Sequence, residues 1–262
     1  MLKNPFSRNR PHPAARAANN ALFDKDGNPK PSIARAIERA LDVQRPLVLA
    51  NLRRVRRSNP KASPAELAIL LERDYLRATT ITGAAVGATA AVPAVGTIAS
   101  LGLSAAATVG FLETTALYAE SIAELHGIRT DNPERSRAMV MAILMGEEGS
   151  ALITSTLGAS AGSGATQHWG NLMGKAAPAS MVGGLASTIR RQFLRRMLAR
   201  QGGMMLGRAL PFGVGAVVGG TGNHVMGKAV IKATRLAFGP LPQTIPGELA
   251  NTLDLPEGRA RN

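Results

Sequence analysis

From Ala78 to Leu112 the chain runs for 35 consecutive residues without an Asp, Glu, Lys or Arg. That is longer than the ~20 residues that cross a bilayer as a helix. Yet only ten of the 35 are Val, Ile, Leu or Phe; most of the rest are Ala, Gly, Thr and Ser, with Pro93 near the middle. On an insertion scale such a window gains roughly 2 to 4 kcal/mol from its strongly apolar residues, and the Gly, Thr and Pro residues offset much of it. The composition therefore predicts a helical hairpin bent between Pro93 and Gly96, buried in protein or dipping into lipid, rather than a lone spanning helix.

Charge is segregated around this run. Of 262 residues, 31 are Lys or Arg and 17 Asp or Glu, a net +14. Residues 1–77 hold 16 basic and 7 acidic side chains and residues 190–262 hold 11 and 3, so the excess sits at the two ends. A basic surface of this kind attracts nucleic acid or anionic lipid headgroups. Aromatic residues are only 3% of the chain, which disfavours base-stacking platforms. Arg outnumbers Lys 24 to 7 and Ala is abundant, a bias that a GC-rich genome also produces. With no cysteine, neither disulfides nor thiolate metal ligands are available. The basic start "MLKNPFSRNRPHP" lacks the apolar run of a secretory signal, so a cytoplasmic location is expected.

Hydrophobic spacing points to an all-α fold: a multi-helix bundle around Gly/Ala-rich, closely packed helices, with flexible tails at both ends. Residues 1–31 read as a basic tail. From Ser32 the period is helical, with Ile33, Ile37 and Leu41 on one face. Pro46 opens a second helix that Asn59 and Pro60 stop. Ser63, Pro64 and Glu66 form a capping box ahead of the stripe Leu67, Leu70, Leu71 and Tyr75. Asp131 with Glu134 marks a further start. Residues 158–171 read as a loop, and "LASTIRRQFLRRMLAR" as a cationic amphipathic helix carrying Ile189, Phe193 and Met197. The helical domain is placed at 32–240. Residues 241–262 hold too many prolines to stay helical and are expected as a second tail. No alternating strand pattern and no fixed-period repeat is present.

The glycine-rich stretch "ALPFGVGAVVGGTGNHVMGKAV", residues 209–230, admits a phosphate-loop reading or a packing one. Its "GVGAVVG" has the spacing G-x-G-x-x-x-G and no strand before it, so the dinucleotide fingerprint is not met. Read as a helix, Gly215, Gly219, Asn223 and Gly227 share one face at four-residue intervals. Such a stripe admits a closely packed neighbour. Two faces repeat the interval: Gly83, Gly87 and Ala91, or Gly96, Ser100, Ser104 and Thr108. Asn223 in the seam would need a hydrogen-bond partner across it.

The segment "RALPFGVGAVVGGTGNHVMGKAVIKATRLAF" resembles the C-terminal signature of the EcsC family: Leu-Pro, a Gly-rich apolar run, an Asn, then a basic-apolar helix ending in Phe. The stretch from Ile81 to Ile128, ending in a His-Gly pair, looks like the family's other landmark. The resemblance covers about residues 78–240, and the Arg- and Ala-rich composition suggests an actinobacterial-type member. It implies a helical bacterial protein with no established reaction, and makes Pro211, Gly215, Gly219 and Asn223 structural determinants.

Candidate chemistry is thin. Glu113, Glu120 and Glu124 share a helical face near His126 and can begin a carboxylate metal site with Glu147 and Glu148. The Glu-x-x-His spacing of such sites is missing, however, and a solvated acidic face meeting the arginine helices is the preferred reading. His12, His126, His168 and His224 lack metal-ligand spacing, so no metal and no cofactor are assigned. There is no nucleophile elbow, and no catalytic residue is identified. Asn223 with His224 is a polar pair in an apolar setting. The clusters Arg53, Arg54, Arg56, Arg57 and Arg190, Arg191, Arg195, Arg196 are candidate contacts to lipid phosphates.

Together these features predict a non-enzymatic, membrane-associated accessory or scaffold protein of EcsC type, peripheral to or partly inserted in the cytoplasmic membrane. Its partners would be anionic lipid or a membrane protein. The alternatives are a helical enzyme or small-molecule binder with a pocket at Asn223 and His224, and a nonspecific nucleic-acid-binding protein.

Overall fold

The computed structural model describes residues 20, 23–25, 29–90, 97–157, 170, 179–204 and 214–254. Among these residues the fold is all-α, without a strand; Phe23 and Pro29 form an isolated antiparallel bridge. The helices are α1 (Pro31–Ala40), α2 (Arg45–Ser58), α3 (Pro64–Ala90), α4 (Thr97–Leu125), α5 (Pro133–Met145), α6 (Glu147–Leu157), α7 (Ala179–Met204), α8 (Val214–Phe238) and α9 (Gly247–Asp254). The turn expected at Pro93 to Gly96, His12, His168, Pro211, most of the N-terminal tail and most of the 158–171 loop lie outside the described residues.

Local signals start and stop these helices. At α3 the Ser63 amide donates to Glu66 Oε2 at 2.8 Å while the Glu66 amide donates to Ser63 Oγ at 3.3 Å, a reciprocal capping box. The helix start expected at Asp131 with Glu134 is shifted by one residue and is a single N-cap rather than a capping box. Asn132 is the N-cap of α5, its side chain accepting from the Arg135 amide at 3.0 Å, with Pro133 in the first turn. Asp131 is left to pair with Arg129 at 3.2 Å. Gly127 closes α4 with φ +77°, and the Ile128 amide donates to the Ala123 carbonyl, the wrap of a Schellman motif.

Three long helices form the central layer, in which α8 packs chiefly along α3 and only lightly along α4. The register follows from named contacts. Tyr75 meets Thr115 and Tyr118; the space beside Gly110 is bounded by Thr82; Asn223 meets Thr79. So α4 and α8 both run antiparallel to α3. Helices α1 and α2 cover α4, and α5, α6 and α7 pack together, with α5 against α4 and α8. Leu41, Leu52, Leu67, Leu112, Met139, Ile153, Ile189 and Phe238 are fully enclosed.

The Pro-rich end of the chain is not a free tail over its described part. Residues 247–254 form α9, which buries Leu249 and Leu253 against the core. Arg53 donates through Nε and Nη2 to the Thr252 carbonyl, at 3.2 and 3.0 Å. Prolines 240, 242 and 246 precede the helix rather than interrupt it, so they shape the approach and leave the amphipathic octapeptide free to wind.

Candidate functional site

The antiparallel register gathers residues 82–90 of α3, 97–110 of α4 and 214–223 of α8 at one end of the layer. None of these residues is an Asp, Glu, Lys or Arg. Charge stops on all three helices at nearly the same level. Arg77 is the last charged residue of α3, Glu113 the first of α4 and Lys228 the first of α8. By the contacts above, Glu113 falls opposite Thr79, and Lys228 about opposite Tyr75. The three stops therefore lie within roughly one helical turn of each other. Near that boundary Ile81, Val225 and Met226 are 68, 65 and 42% exposed. Immediately behind it stand Arg73, Arg77, Lys228 and Lys232, all exposed and without an ion-pair partner among the described residues.

The seam that builds this end is close. A Cβ placed on Gly227 would sit 3.0 Å from Leu76 Cδ2 and 3.3 Å from Thr79 Oγ1. One turn on, Asn223 Nδ2 donates to the Thr79 carbonyl at 3.2 Å, while the Thr79 hydroxyl donates to the Tyr75 carbonyl at 3.0 Å. The neighbouring Thr80 hydroxyl and His224 Nδ1 lie 3.1 Å apart. Asn223 and His224 are thus joined to α3 by hydrogen bonds across the helix pair. Gly83 is buried on α3, and Gly87, Gly215 and Gly219 lie on the helical backbones of α3 and α8.

At the opposite end, α4 carries two carboxylates in the core. Glu124, 2% exposed, receives Arg45 on both oxygens, Nε to Oε1 at 2.6 Å and Nη2 to Oε2 at 3.0 Å. The turn at Gly127 brings back Thr130, whose amide and hydroxyl donate to Oε1 at 2.9 and 3.0 Å. Glu120 is fully buried and neither of its oxygens has a hydrogen-bond partner. Burial first, then the Glu124 charge, pushes its carboxyl up to about 8. The nearby Thr130 hydroxyl opposes the rise, and the Asp42 charge adds to it.

The acidic face of α4 is therefore not solvated, contrary to expectation. Glu113 is exposed, but the helix then passes beneath α1, α2 and the 126–132 turn, which cover the same stripe at Glu120 and Glu124. No group of three metal-ligating side chains occurs among the described residues. His126 stacks on Phe238 with ring centroids 5.3 Å apart, and burial lowers its imidazole to about 4.

Most arginines singled out from the sequence have partners inside the protein. Arg53 holds α9, Arg54 pairs with Asp74 at 2.9 Å, and Arg56 donates to the Ala62 carbonyl at 2.7 Å. Arg190 pairs with Glu38 at 2.6 Å and Arg196 with Glu148. Arg57 also has a partner, whereas Arg191 and Arg195 have none among the described residues. The cationic residues that sequence reasoning passed over are Arg73, Arg77, Lys228 and Lys232. Each pair is spaced i, i+4, and the two pairs flank the two uncharged stretches. That flanking position is a signal readable in the chain.

Among the described residues no helix is long and apolar enough to cross a membrane. In comparisons with protein-family models, curated proteins and solved structures, nothing matches this chain.

Proposed function

We propose that the protein is a membrane-associated accessory protein that docks on an anionic lipid surface through the uncharged end of α3, α4 and α8. The observation that carries this reading is the common level at which charge stops on the three helices, with exposed Ile81, Val225 and Met226 near it and, behind it, Arg73, Arg77, Lys228 and Lys232, which have no ion-pair partner among the described residues. From Ala78 to Ala90 the uncharged part of α3 is ~20 Å long, at ~1.5 Å per residue. A bilayer core is ~30 Å thick, so this end reaches into one leaflet rather than through both. Apolar burial and headgroup attraction of about 1 kcal/mol per basic residue then act together. The resemblance to EcsC-type proteins belongs to the same reading. No reaction is assigned.

Vesicle sedimentation tests it. The full chain should pellet with phosphatidylglycerol-rich vesicles, less so in high salt, and not with pure phosphatidylcholine. Arg77→Glu with Lys228→Glu should abolish pelleting, and Ile81→Glu with Val225→Glu should leave only a salt-sensitive remnant. A chain that stays in the supernatant with anionic vesicles at low salt would defeat the reading.

A further inference from the structure

A second basic feature lies away from the uncharged end. The segment entering α1 runs alongside α7, and between them is an open cavity of about 520 Å³. One wall is Arg190, Arg191, Leu194 and Arg195 of α7; Pro29 and Pro31 form the other. The α7 residues stand at i, i+1, i+4 and i+5, so three arginines line one side of the helix. Arg190 is tethered by Glu38 across the groove at 2.6 Å, which fixes the wall in place. Arg191 and Arg195, at i, i+4, have no carboxylate partner among the described residues. Like charges at that spacing repel by about 0.2–0.5 kcal/mol in an isolated helix. Here the repulsion falls on one wall of the groove, and the Glu38 carboxylate beside it is already engaged by Arg190.

We infer that this groove is a binding site for a phosphate-bearing ligand, held by Arg191 and Arg195 with Arg190 as the tethered third donor. Guanidinium forks match phosphate oxygens in paired hydrogen bonds. A cavity of this size falls in the ~300–1,000 Å³ range of small-molecule sites, larger than a phosphate alone. Leu194 and the two prolines give the remainder of the ligand an apolar contact. The phosphate can belong to a soluble compound or to a lipid headgroup, and the groove does not depend on the membrane-docking end.

Titration calorimetry with pyrophosphate, and sedimentation with phosphatidylglycerol-rich vesicles, should be run on the full chain and on two double variants. Arg191→Ala with Arg195→Ala should weaken whichever interaction is observed by roughly tenfold or more, the scale of two lost charge-assisted contacts. Arg73→Ala with Arg77→Ala removes the same charge elsewhere and should leave pyrophosphate affinity unchanged. Binding of pyrophosphate identifies a soluble phosphate ligand; groove-dependent binding to vesicles alone identifies a lipid phosphate. The inference is overturned if the wild-type chain binds neither probe, or if Arg191→Ala with Arg195→Ala leaves both interactions as they are in the wild-type chain. Vesicle binding lost only in the control pair, with no binding of pyrophosphate, would overturn the groove while leaving the membrane reading intact. Circular dichroism of both variants keeps unfolding from passing as loss of binding.

Discussion

Glu120 and Glu124 lie one turn apart on α4, both buried, yet Glu124 receives four hydrogen bonds and Glu120 none. Arg45, the cation that reaches this pair among the described residues, is committed to Glu124. The core therefore accommodates one carboxylate and one neutral carboxylic acid, because a second charge at Glu120 would be desolvated and beside a like charge.

Stability should fall with rising pH because of Glu120. Its folded-state carboxyl is raised from 4.5 to about 8, so the unfolded chain loses the proton first. The contribution is fully present below pH 4.5, is lost progressively above it, and is gone once pH has risen through about 8. The scale is a few kcal/mol, at about 1.4 kcal/mol per pH unit between the two values. Urea denaturation between about pH 6.5 and 8, above the range in which His126 titrates, should show the slope in the wild-type chain and lose most of it in Glu120→Gln. An equal slope in both would show that another group titrates.

Removing Arg45 should be worse than removing the whole ion pair. Arg45→Met leaves Glu124 ionised or forces it to take up a proton in a 2% exposed position, and breaking a buried pair in this way costs about 3–5 kcal/mol. Arg45→Met combined with Glu124→Leu removes both charges and should recover much of the loss, apart from the unpaired Thr130 donors. A double-mutant cycle on unfolding free energies measures the coupling; additive single effects would mean the pair is not coupled.

His126 should titrate well below a solvent-exposed imidazole. Burial alone lowers it to about 4, with its ring stacked on Phe238. A depressed histidine binds its proton first in the unfolded chain, so its contribution is present above about pH 6.5 and lost as pH falls through about 4. An NMR titration of the imidazole resonances should place the midpoint near 4. His126→Phe should flatten the acid limb of the stability profile; a midpoint above 6 would mean that the ring is solvated.

Much of the fold was legible because local rules acted alone. The capping box at Ser63 and Glu66 and the stripe through Leu67, Leu71 and Tyr75 needed no tertiary information. The failures lie where tertiary cover decides. Residues 113, 120 and 124 share a helical face by spacing, but α1 and α2 enclose only the last two, and nothing in the α4 sequence announces that. Similarly, the prolines before Gly247 predict an irregular entry but not the docking of Leu249 and Leu253, which depends on a site beside α2. The arginine clusters of α2 and α7 were visible as charge, whereas their partners, Thr252, Asp74, Glu38 and Glu148, are distant in sequence.

Two glycines of α8 should respond oppositely to added side chains. Gly227 faces Leu76 and Thr79 so closely that even a Cβ meets them at 3.0 and 3.3 Å. Gly222 has nothing within 4 Å of its Cβ position and is exposed on the same helix. Gly222→Ala should therefore raise stability by up to about 1 kcal/mol through helix propensity alone. Gly227→Leu must push α8 off α3 and stretch the Asn223 to Thr79 hydrogen bond, at about 1–3 kcal/mol for an overpacked contact. Gly227→Ala falls between, its propensity gain set against the crowding of Leu76. Thermal melts of the three variants decide the matter: equal gains in Gly222→Ala and Gly227→Ala, with a tolerated Gly227→Leu, would show that α3 and α8 do not pack through this glycine.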